Sequence, residues 1–217
     1  MQSANEQQQV VYGVCTAQDA DEMARLLGEV FSMRDPPSVA TGLTISEFET
    51  FVRVLCPQAA VEGLTILARD SVTGELIGAL LTEDSATTLP EGMDQLSPKF
   101  EPIFDILGQL ETEYRAGRHP RPGESLHLFL LGVAESSGGR GVAQQLVTRC
   151  IENGARKGYR VAVTEATNRV SQHIFRKLGF AERVRRSYLS HRFAGRAVFA
   201  SIAEQGGPIL MDRSLAS

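Results

Sequence analysis

The sequence predicts an α/β fold in which helices lie on the faces of a central mixed sheet. Two observations support this prediction. Short β-prone runs alternate with segments whose apolar residues recur at helical spacing, and the order is strand, two helices, hairpin, helix, then strand–helix–strand–helix with further strands. At 217 residues, 42% apolar and 22% charged, the chain has the size and composition of one globular domain over residues 1–217.

The N-terminal part is expected to form a strand and two helices. "VVYGVC" at residues 10–15 is β-prone, and Thr16 followed by Asp19 is typical of the start of a helix. "RDPP" at 34–37 ends that helix, because proline cannot continue one. "TISEFETFVRVL" then predicts a second helix, capped by Ser46.

The middle of the chain predicts a β-hairpin and an insertion. "LTILARD" and "LIGALLTED" flank the turn "SVTGE", which is a hairpin pattern. Residues 84–124 form an inserted loop and helix, with the helix following Pro102. "LHLFLLGVA" is the most apolar segment and predicts a strand that is buried on both faces.

The C-terminal part predicts alternating helices and strands. A helix runs from Gly141 to near Gly158, and "YRVAVTEA" is a strand. "NRVSQHIFRKLGF" is a helix with Val170, Ile174 and Leu178 in step, ending at a glycine. "RVRRSYLS", "RAVFASIA" and "PILMDRSL" are three β-prone runs that close the chain.

Charge and cysteine content exclude several classes of protein. A net charge of −4 argues against a nucleic-acid partner, and no apolar run has the ~20 residues that a membrane span needs. Cys15, Cys56 and Cys150 are odd in number and widely spaced, which indicates neither a disulfide framework nor a metal site. The polar residues 1–8 predict a frayed end without a signal peptide. We therefore expect a cytoplasmic protein.

The stretch "AESSGGRGVAQQL" at 134–146 predicts an anion site made of backbone. A glycine-rich turn between a strand and a helix presents free N–H groups at the positive end of the helix, and Arg140 could add a contact. The spacing fits neither a Walker loop nor a Gly-x-Gly-x-x-Gly fingerprint, so nucleoside triphosphates and dinucleotides are disfavoured. The alternative is a tight connection in which the glycines serve only geometry.

Together with the following helix, this turn resembles the GNAT superfamily of N-acetyltransferases. "LGVAESSGGRGVAQQL" is similar to its acyl-CoA motif, Arg/Gln-x-x-Gly-x-Gly/Ala: Gly141 and Ala143 match the small positions, while Gly138 replaces the usual Arg or Gln. "NRVSQHIFRKLGF" is similar to the next motif of that family. The matching residues there are Asn168, Ser171, Phe175, Gly179 and Phe180.

The resemblance implies a GNAT fold and acetyl-CoA as co-substrate, without a metal. The sheet would have about seven mostly antiparallel strands, splayed between the fourth and the fifth. Backbone groups of Leu131, Gly132 and Val133 would bind the pantetheine arm and polarise the thioester. The pyrophosphate would lie on Gly138, Gly139, Arg140, Gly141, Val142, Ala143 and Gln144. Asn168, Ser171 and Phe175 would line the same cofactor.

A narrower resemblance concerns the insect-type arylalkylamine N-acetyltransferases. It rests on "FSMRDPPSVATGL", the helix at 102–117 and the ending "GRAVF…GPILMDRSL". It implies that Asp35, directly before a proline, is the catalytic base and acts through water; the alternative is that Asp35 only caps or ends a helix. Of the serine pair used in that family, Ser171 matches one, and the other position falls on Thr167 or Asn168.

Two further catalytic candidates follow from the same comparison. His127 lies where the vertebrate-type serotonin N-acetyltransferases carry a histidine, so it is a second candidate base; the alternative is a core histidine. Phe175 stands where the family has the tyrosine that protonates the thiolate. Ser171 is the nearest hydroxyl on that segment, and the alternative is that it only packs under the cofactor.

The resemblance therefore implies an N-acetyltransferase acting on a small primary amine that is arylalkylamine- or polyamine-like. The alternatives are a non-catalytic CoA-binding sensor and an enzyme that acetylates protein N-termini or lysines. We expect no nucleic-acid or membrane partner, and a monomer or homodimer. The inserted segment 84–124 is expected near the acceptor site. Its acidic residues, Asp84, Asp94, Glu111 and Glu113, could attract a cationic amine there; the alternative is that they are only solvent-facing charges.

Overall fold

A computed structural model describes residues 9–88 and 90–215, so the predicted frayed end at residues 1–8 lies outside the described part. The strands are β1 (Val10–Val14), β2 (Ile66–Asp70), β3 (Leu76–Asp84), β4 (Ser125–Val133), β5 (Val161–Ala166), β6 (Ala181–Arg185) and β7 (Ile209–Ser214). The helices are α1 (Ala20–Arg34), α2 (Pro36–Thr41), α3 (Ile45–Glu62), α4 (Glu101–Arg115), α5 (Val142–Arg156) and α6 (Arg169–Lys177).

The seven strands form one mixed sheet in the order β1-β2-β3-β4-β5-β7-β6. All neighbours are antiparallel except β4 and β5, which are parallel and pair only at Ser125–Val161, Leu126–Ala162 and His127–Val163. Beyond these pairs the two strands diverge. The predicted α/β fold, with its strand number and its splay between the fourth and fifth strands, is confirmed.

The vertex of the splay is marked by one side-chain bond. The hydroxyl of Thr164 on β5 donates to the carbonyl of Leu128 on β4 at 2.9 Å, one residue beyond the last paired position. From this point outward neither strand has the other as a partner. Backbone groups on the facing edges are therefore available to a ligand.

Two apolar layers cover the two faces of the sheet. One packs α5 and α6 against the sheet through residues such as Leu146, Val147 and Phe175. The other packs α1, α3 and α4 through Leu27, Phe51 and Ile106. The splay opens between these layers, so a ligand in it can reach both faces. The sheet draws strands from both ends of the described chain; the assignment of residues 1–217 to one domain stays a prediction.

Strand β4 differs from its prediction, because it is not buried on both faces. Its residues alternate strictly between half-buried and buried. The ladder with β3 is irregular at one point, where Leu81 pairs with Leu130 but Thr82 pairs with Leu128. Phe129 is the extra residue of a β-bulge. Three of the half-buried residues, Phe129, Leu131 and Val133, line the cavity at the splay.

Two local predictions are wrong and a third is incomplete, each for an identifiable reason. Thr44, not Ser46, caps α3: its hydroxyl accepts from the N–H of Glu47, whose carboxylate accepts from the N–H of Thr44. The prolines after Asp35 end α1 but also begin α2, since proline is tolerated at the first helical turn. "RAVFASIA" is no strand. Its first residue, Arg196, closes a turn through a single β-bridge to Phe193, and its last residues begin the 3₁₀ segment Ala200–Gln205.

The buried face of α6 also differs from the predicted one. On α6 the buried residues are Gln172 and Phe175, while Val170 is largely exposed. The amide of Gln172 donates to the carbonyls of Ala166 and Gly207, which a polar side chain buried at this place requires. In residues 9–88 and 90–215, no helix combines the length and the apolar character that a bilayer span demands.

Candidate active site

The splay opens into a cavity of about 470 Å³ that runs between the two faces of the sheet. Its walls come from α1 and α2, from the inserted segment with α4, from β4 and β5, and from α6. Among the predicted site residues, those that line it are Asp35, Leu131, Val133, Ala143, Asn168, Ser171 and Phe175. The structure thus brings the predicted base and part of the predicted cofactor site to one space.

Two backbone amides of β4 face the opening. The N–H of Ala134 donates to the carbonyl of Ile77 at 2.9 Å, which directs the backbone of Ala134 toward the β3 side. Because backbone direction alternates along an antiparallel ladder, Gly132 also faces β3, while Leu131 and Val133 face the splay. The guanidinium of Arg34 confirms this direction by donating to the Val133 carbonyl at 2.6 Å.

Gly132 has a packing role instead of a ligand-facing one. A Cβ at this position would lie 2.6 Å from Cδ2 of Leu27 and 3.4 Å from Cγ1 of Val30, both on α1. The missing side chain therefore lets α1 lie close against β4. Of the three residues predicted to bind the pantetheine arm, Leu131 and Val133 have suitable amides.

The glycine turn has the geometry of an anion site. Gly139 and Gly141 have φ of +74° and +76°, a conformation that favours glycine, and each faces open space. Gly141 caps α5 with no side-chain bond, so the N–H groups of Val142, Ala143 and Gln144 in the first turn have no helical partner. These amides and the helix dipole could hold a phosphate group.

Gly138 and Arg140 contribute differently from these amides. Gly138 has a φ of −60°, which any residue adopts, and its N–H already donates to the Glu135 carbonyl. The charge of Arg140 acts on Tyr12 and Asp70, and it helps to hold the pKa of the Asp70 carboxyl below its usual range. Asp70 accepts backbone N–H bonds as well, which is the larger cause of that lowered pKa.

At the start of α6 the predicted polar residues form a helix cap. The side-chain oxygen of Asn168 accepts from the N–H of Ser171 at 2.9 Å, and the Ser171 hydroxyl donates to the Asn168 carbonyl at 2.9 Å. Both residues line the cavity. Phe175 follows one turn later, buried against Phe180 with ring centroids 5.0 Å apart. Ser171 therefore combines a capping role with a hydroxyl next to the cavity.

Asp35 is a buried carboxylate between α1 and α2, with only 8% of its surface exposed. One oxygen accepts from the Thr167 hydroxyl at 2.6 Å, and the other accepts from the hydroxyl and the N–H of Ser38 at 2.8 and 3.2 Å. Burial raises the pKa of Asp35, and the bonds from Thr167 and Ser38 oppose that rise. The residue is a helix cap and a cavity carboxylate at once.

His127 lies deeper, in a row of side chains across the sheet. Its Nδ1 is 2.9 Å from a carboxylate oxygen of Glu83 on β3, and its Nε2 is 2.7 Å from one of Glu165 on β5. Burial favours the neutral ring, but Glu165 and Glu83 outweigh it and hold the pKa of His127 well above its usual value. Both ring nitrogens are thus bonded to carboxylates, an arrangement that favours the imidazolium form of His127.

The remaining cavity wall is aromatic. Six phenylalanines from α1, α3, the inserted segment and β4 line it: Phe31, Phe48, Phe51, Phe100, Phe104 and Phe129. Their rings contact each other, as in the pairs Phe31–Phe48 at 4.8 Å and Phe51–Phe100 at 4.9 Å between centroids. Phe129, the bulged residue, also stacks on the His127 ring at 4.9 Å. The wall suits an apolar, planar group.

Several of these residues were not predicted from the sequence. Ser38, three residues after Asp35, fits a helix-cap spacing that could have been found. Glu165 and Glu83 carry no signal, because only the pairing of β3, β4 and β5 brings them to His127. The four acidic residues expected to attract an amine do not line the cavity: Asp84, Asp94, Glu111 and Glu113. Instead Glu165 and Asp35 supply the negative charge there. Over residues 9–88 and 90–215, no group of histidine, cysteine or acidic side chains has the arrangement of a metal site.

Solved structures with the same fold include the following three. The C-terminal condensation domain of Ebony, in complex with beta-alanyl-dopamine, is 15% identical, with a TM-score of 0.86 over 95% of this chain and 99% of that one. Arylalkylamine N-acetyltransferase 2 from Aedes aegypti is 18% identical, with a TM-score of 0.79 over 95% and 99%. The Drosophila melanogaster polyamine N-acetyltransferase, which forms N-acetylagmatine, is 17% identical, with a TM-score of 0.75 over 95% and 100%.

A family model provides the assignment. The model of the acetyltransferase (GNAT) family matches residues 47–180, more than half of the chain. The match spans β4, β5, the glycine turn and α6, which supply the splay and its backbone amides, whereas α1 and α2, with Asp35, lie outside the matched residues. The chain is therefore an acyltransferase that belongs to the acetyltransferase (GNAT) family.

Proposed function

We propose that this chain transfers the acetyl group of acetyl-CoA to a small primary amine of the arylalkylamine type, with Asp35 as the base. The observation that carries the proposal is the position of Asp35, a buried carboxylate in an aromatic cavity at the open end of the splay. The family supports acetyl-CoA as the donor. The aromatic lining of the cavity supports an arylalkylamine as the acceptor.

The residues present fit a coenzyme A donor. The open first turn of α5, with amides of Val142, Ala143 and Gln144, suits a pyrophosphate, and Gly141 adds no side chain in its way. The splay-facing amides of Leu131 and Val133 suit an extended amide-bearing arm. Acetyl-CoA supplies the thioester. A backbone N–H of β4 directed at the developing oxyanion would stabilise the transition state by about 3 kcal/mol.

Asp35 has the capacity that a base needs. A carboxylate offers about four lone-pair sites, and three of them accept from Thr167 and Ser38, which leaves one for the acceptor ammonium or for a water between them. These bonds also fix the orientation of the carboxylate. Its raised pKa moves it toward the range in which a carboxylate accepts a proton efficiently.

His127 is the weaker candidate base. Its two ring nitrogens are bonded to Glu83 and Glu165, and the raised pKa keeps it protonated at neutral pH, so it has no free site to accept a proton. For the departing thiolate, Phe175 has no proton to give. Ser171 lines the cavity, and we assign its hydroxyl the stabilisation of the thiolate by a hydrogen bond, for which it would exchange its bond to the Asn168 carbonyl.

The aromatic wall favours an arylalkylamine over a polyamine or a protein acceptor. Six phenylalanine rings offer dispersion contacts to an aryl group but few partners to the repeated ammonium groups of a polyamine. A peptide substrate needs backbone partners along an extended segment. A sensor without catalysis would not need an oriented, buried carboxylate in the cavity, since burying one costs free energy.

The test is a thiol-release assay with acetyl-CoA and a panel of phenethylamine, tryptamine, agmatine, spermidine and a lysine peptide. The variants are Asp35→Asn, which keeps a capping side chain, and Glu29→Gln, an exposed carboxylate on α1 as the matched control. We expect aryl substrates to have the highest kcat/KM. Asp35→Asn should lower kcat about 10²- to 10⁴-fold with unchanged CoA affinity, while Glu29→Gln should match the wild type.

Three outcomes would contradict the proposal. Binding of CoA without acetylation of any amine would favour the sensor. Preference for the lysine peptide would favour a protein acceptor. Full activity of Asp35→Asn would leave the reaction but remove Asp35 from it.

A further inference from the structure

The segment between β6 and β7, residues 187–206, leaves the sheet and returns to it as a closed excursion. Its two ends meet where the N–H of Tyr188 donates to the Gly206 carbonyl at 3.0 Å. The next residue is Gly207, and a Cβ at that position would clash with the carbonyl oxygen of Arg186. The excursion follows the residues that the family model matches, so the match assigns it no role.

Thr167, whose hydroxyl holds Asp35, lies just beyond the sheet. The ladder between β5 and β7 ends at the pair Ala166–Ile209, and β4 has left β5 before this point. Thr167 is therefore past the last residue of β5 that pairs with either neighbouring strand. The cap of α6 begins only with the next residue, Asn168. The backbone of Thr167 needs another partner if its hydroxyl is to keep one direction.

The excursion supplies that partner through Tyr188. The hydroxyl of Tyr188 donates to the Thr167 carbonyl at 2.8 Å, and the hydroxyl of Thr167 donates to Oδ1 of Asp35 at 2.6 Å. Burial raises the pKa of Tyr188, and the negative charge of Asp35 raises it further, so the phenol keeps the proton that it donates. Two hydrogen bonds to one intervening residue thus connect the excursion to the carboxylate.

The ring of Tyr188 has a fixed position. It is fully buried and packs against the ring of Phe199, with centroids 5.4 Å apart. Both rings belong to the apolar layer that includes α1, α3 and α4. Because the backbone of Tyr188 is bonded to Gly206, the residue is held at its main chain and at its ring. A fixed ring also fixes the place of its hydroxyl.

We propose that Tyr188 is a positioning residue for the base: by holding the Thr167 carbonyl, it keeps the Thr167 hydroxyl on Asp35 and the carboxylate in its reactive orientation. The inference rests on the proposed function, in which Asp35 accepts the proton. Tyr188 is not among the residues that line the cavity, so it acts through Thr167 and not on a substrate. Its loss should therefore lower the rate and leave the binding of both substrates unchanged.

The first test compares two tyrosines whose hydroxyls donate hydrogen bonds. Tyr188→Phe removes the bond to Thr167, and Tyr159→Phe, the matched control, removes a bond to Asp84 at 3.0 Å beside the opposite end of β5. With phenethylamine, we expect Tyr188→Phe to lower kcat about 10-fold, because the base loses its orientation, while KM and CoA affinity stay within about threefold. Tyr159→Phe should match the wild type in all three quantities.

The second test separates positioning from a general structural role. A residue that acts through Asp35 loses its effect when the carboxylate is absent, whereas a weakened fold lowers activity in either background. Tyr188→Phe should therefore lower the residual kcat of Asp35→Asn by less than about twofold. Phe199→Leu, which loosens the support of the ring and keeps every hydroxyl, should show the same pattern with a smaller loss, about threefold when Asp35 is present.

Each result decides the inference. An unchanged kcat in Tyr188→Phe, or a loss of equal size with and without Asp35, would overturn it and leave the proposed function intact. If thermal unfolding shows that Tyr188→Phe is not folded, Phe199→Leu decides by the same two criteria. If Asp35→Asn itself keeps full activity, the assignment of the base fails and this inference fails with it.

Discussion

The two halves of the site are built from different parts of the polypeptide. On the donor side, the groups that can bind a ligand are backbone amides at Leu131, Val133 and the first turn of α5, with glycines that keep side chains away. On the acceptor side, they are side chains: six phenylalanines and two carboxylates. The donor half depends on chain direction, while the acceptor half depends on residue identity. Substitutions should therefore affect the two halves in different ways.

The largest effect is expected on the acceptor side, at His127. His127→Gln leaves Glu83 and Glu165 facing each other without a cation, which should lower the free energy of unfolding by about 3 kcal/mol at pH 7. Because the pKa of His127 is raised in the folded state, its stabilisation is fully present below the unfolded value of about 6.5 and is lost as pH rises through the folded value.

Denaturant unfolding from pH 6 to pH 10 measures the difference in the free energy of unfolding between the wild type and His127→Gln. We expect the gap between the two to be widest at pH 6 and to narrow as the pH rises into the alkaline range. A variant as stable as the wild type at pH 7 would show that the row carries no net stabilisation, and that the acceptor half tolerates loss of its charge balance.

The next effect concerns the pH dependence at Asp35. A carboxylate accepts a proton only when ionised, so kcat should fall about tenfold per pH unit below its raised pKa. Since the folded pKa is raised, the ionised residue reduces stability above the unfolded pKa of about 3.9, and Asp35→Asn should be at least as stable as the wild type at pH 7.

The measurement is kcat against pH with one saturating arylalkylamine, for the wild type and Asp35→Asn. The difference between the two profiles isolates Asp35, because the ionisation of the substrate affects both. An acid limb that persists in the variant would assign the titrating group elsewhere. The thermal midpoint at pH 7 checks the predicted stability independently.

The smallest effect is expected on the donor side at Gly141, for which Gly74, a glycine with the same backbone conformation elsewhere, is the control. Gly141 precedes α5 and Gly74 lies in the β2–β3 turn; their φ values are +76° and +74°, and both face open space. Gly141→Ala and Gly74→Ala should each cost about 1 kcal/mol of stability. Only Gly141→Ala should also weaken CoA binding, which isothermal titration measures. Equal CoA affinity in both variants would show that the turn does not contact the donor.

The same contrast explains what could be predicted from the sequence. The glycine turn is one contiguous run next to a strand, so its geometry and its anion-binding potential follow from local rules that hold in any fold. The hairpin and α5 were predicted for the same reason, whereas the splay was predicted only through the resemblance to the family. Asp35 was found because its neighbours Pro36 and Phe31 are close to it in sequence. Its partner Thr167 is 132 residues away and needed the structure.

The acceptor half could not be predicted in this way. Its phenylalanines come from four separate segments and look like core residues, since an aromatic residue beside a cavity has the same sequence pattern as one in a packed interior. The row at His127 depends on the register of three strands. "LHLFLLGVA" was wrongly expected to be buried on both faces because its apolar run does not reveal that one face borders a cavity.

In a regular strand, the face on which a side chain lies and the neighbour toward which the backbone of that residue points alternate together along the chain. The extra residue in β4 breaks this link. Up to Leu128, the even-numbered residues direct their backbone toward β5; beyond Phe129, the odd-numbered residues Leu131 and Val133 do. Loss of Phe129 alone would leave a continuous ladder with every remaining amide in its present direction. One residue can thus be removed from the wall of the acceptor cavity at this point without changing the direction of the donor amides. A bulge at this position therefore allows the acceptor site to vary while the site for the acyl donor is retained.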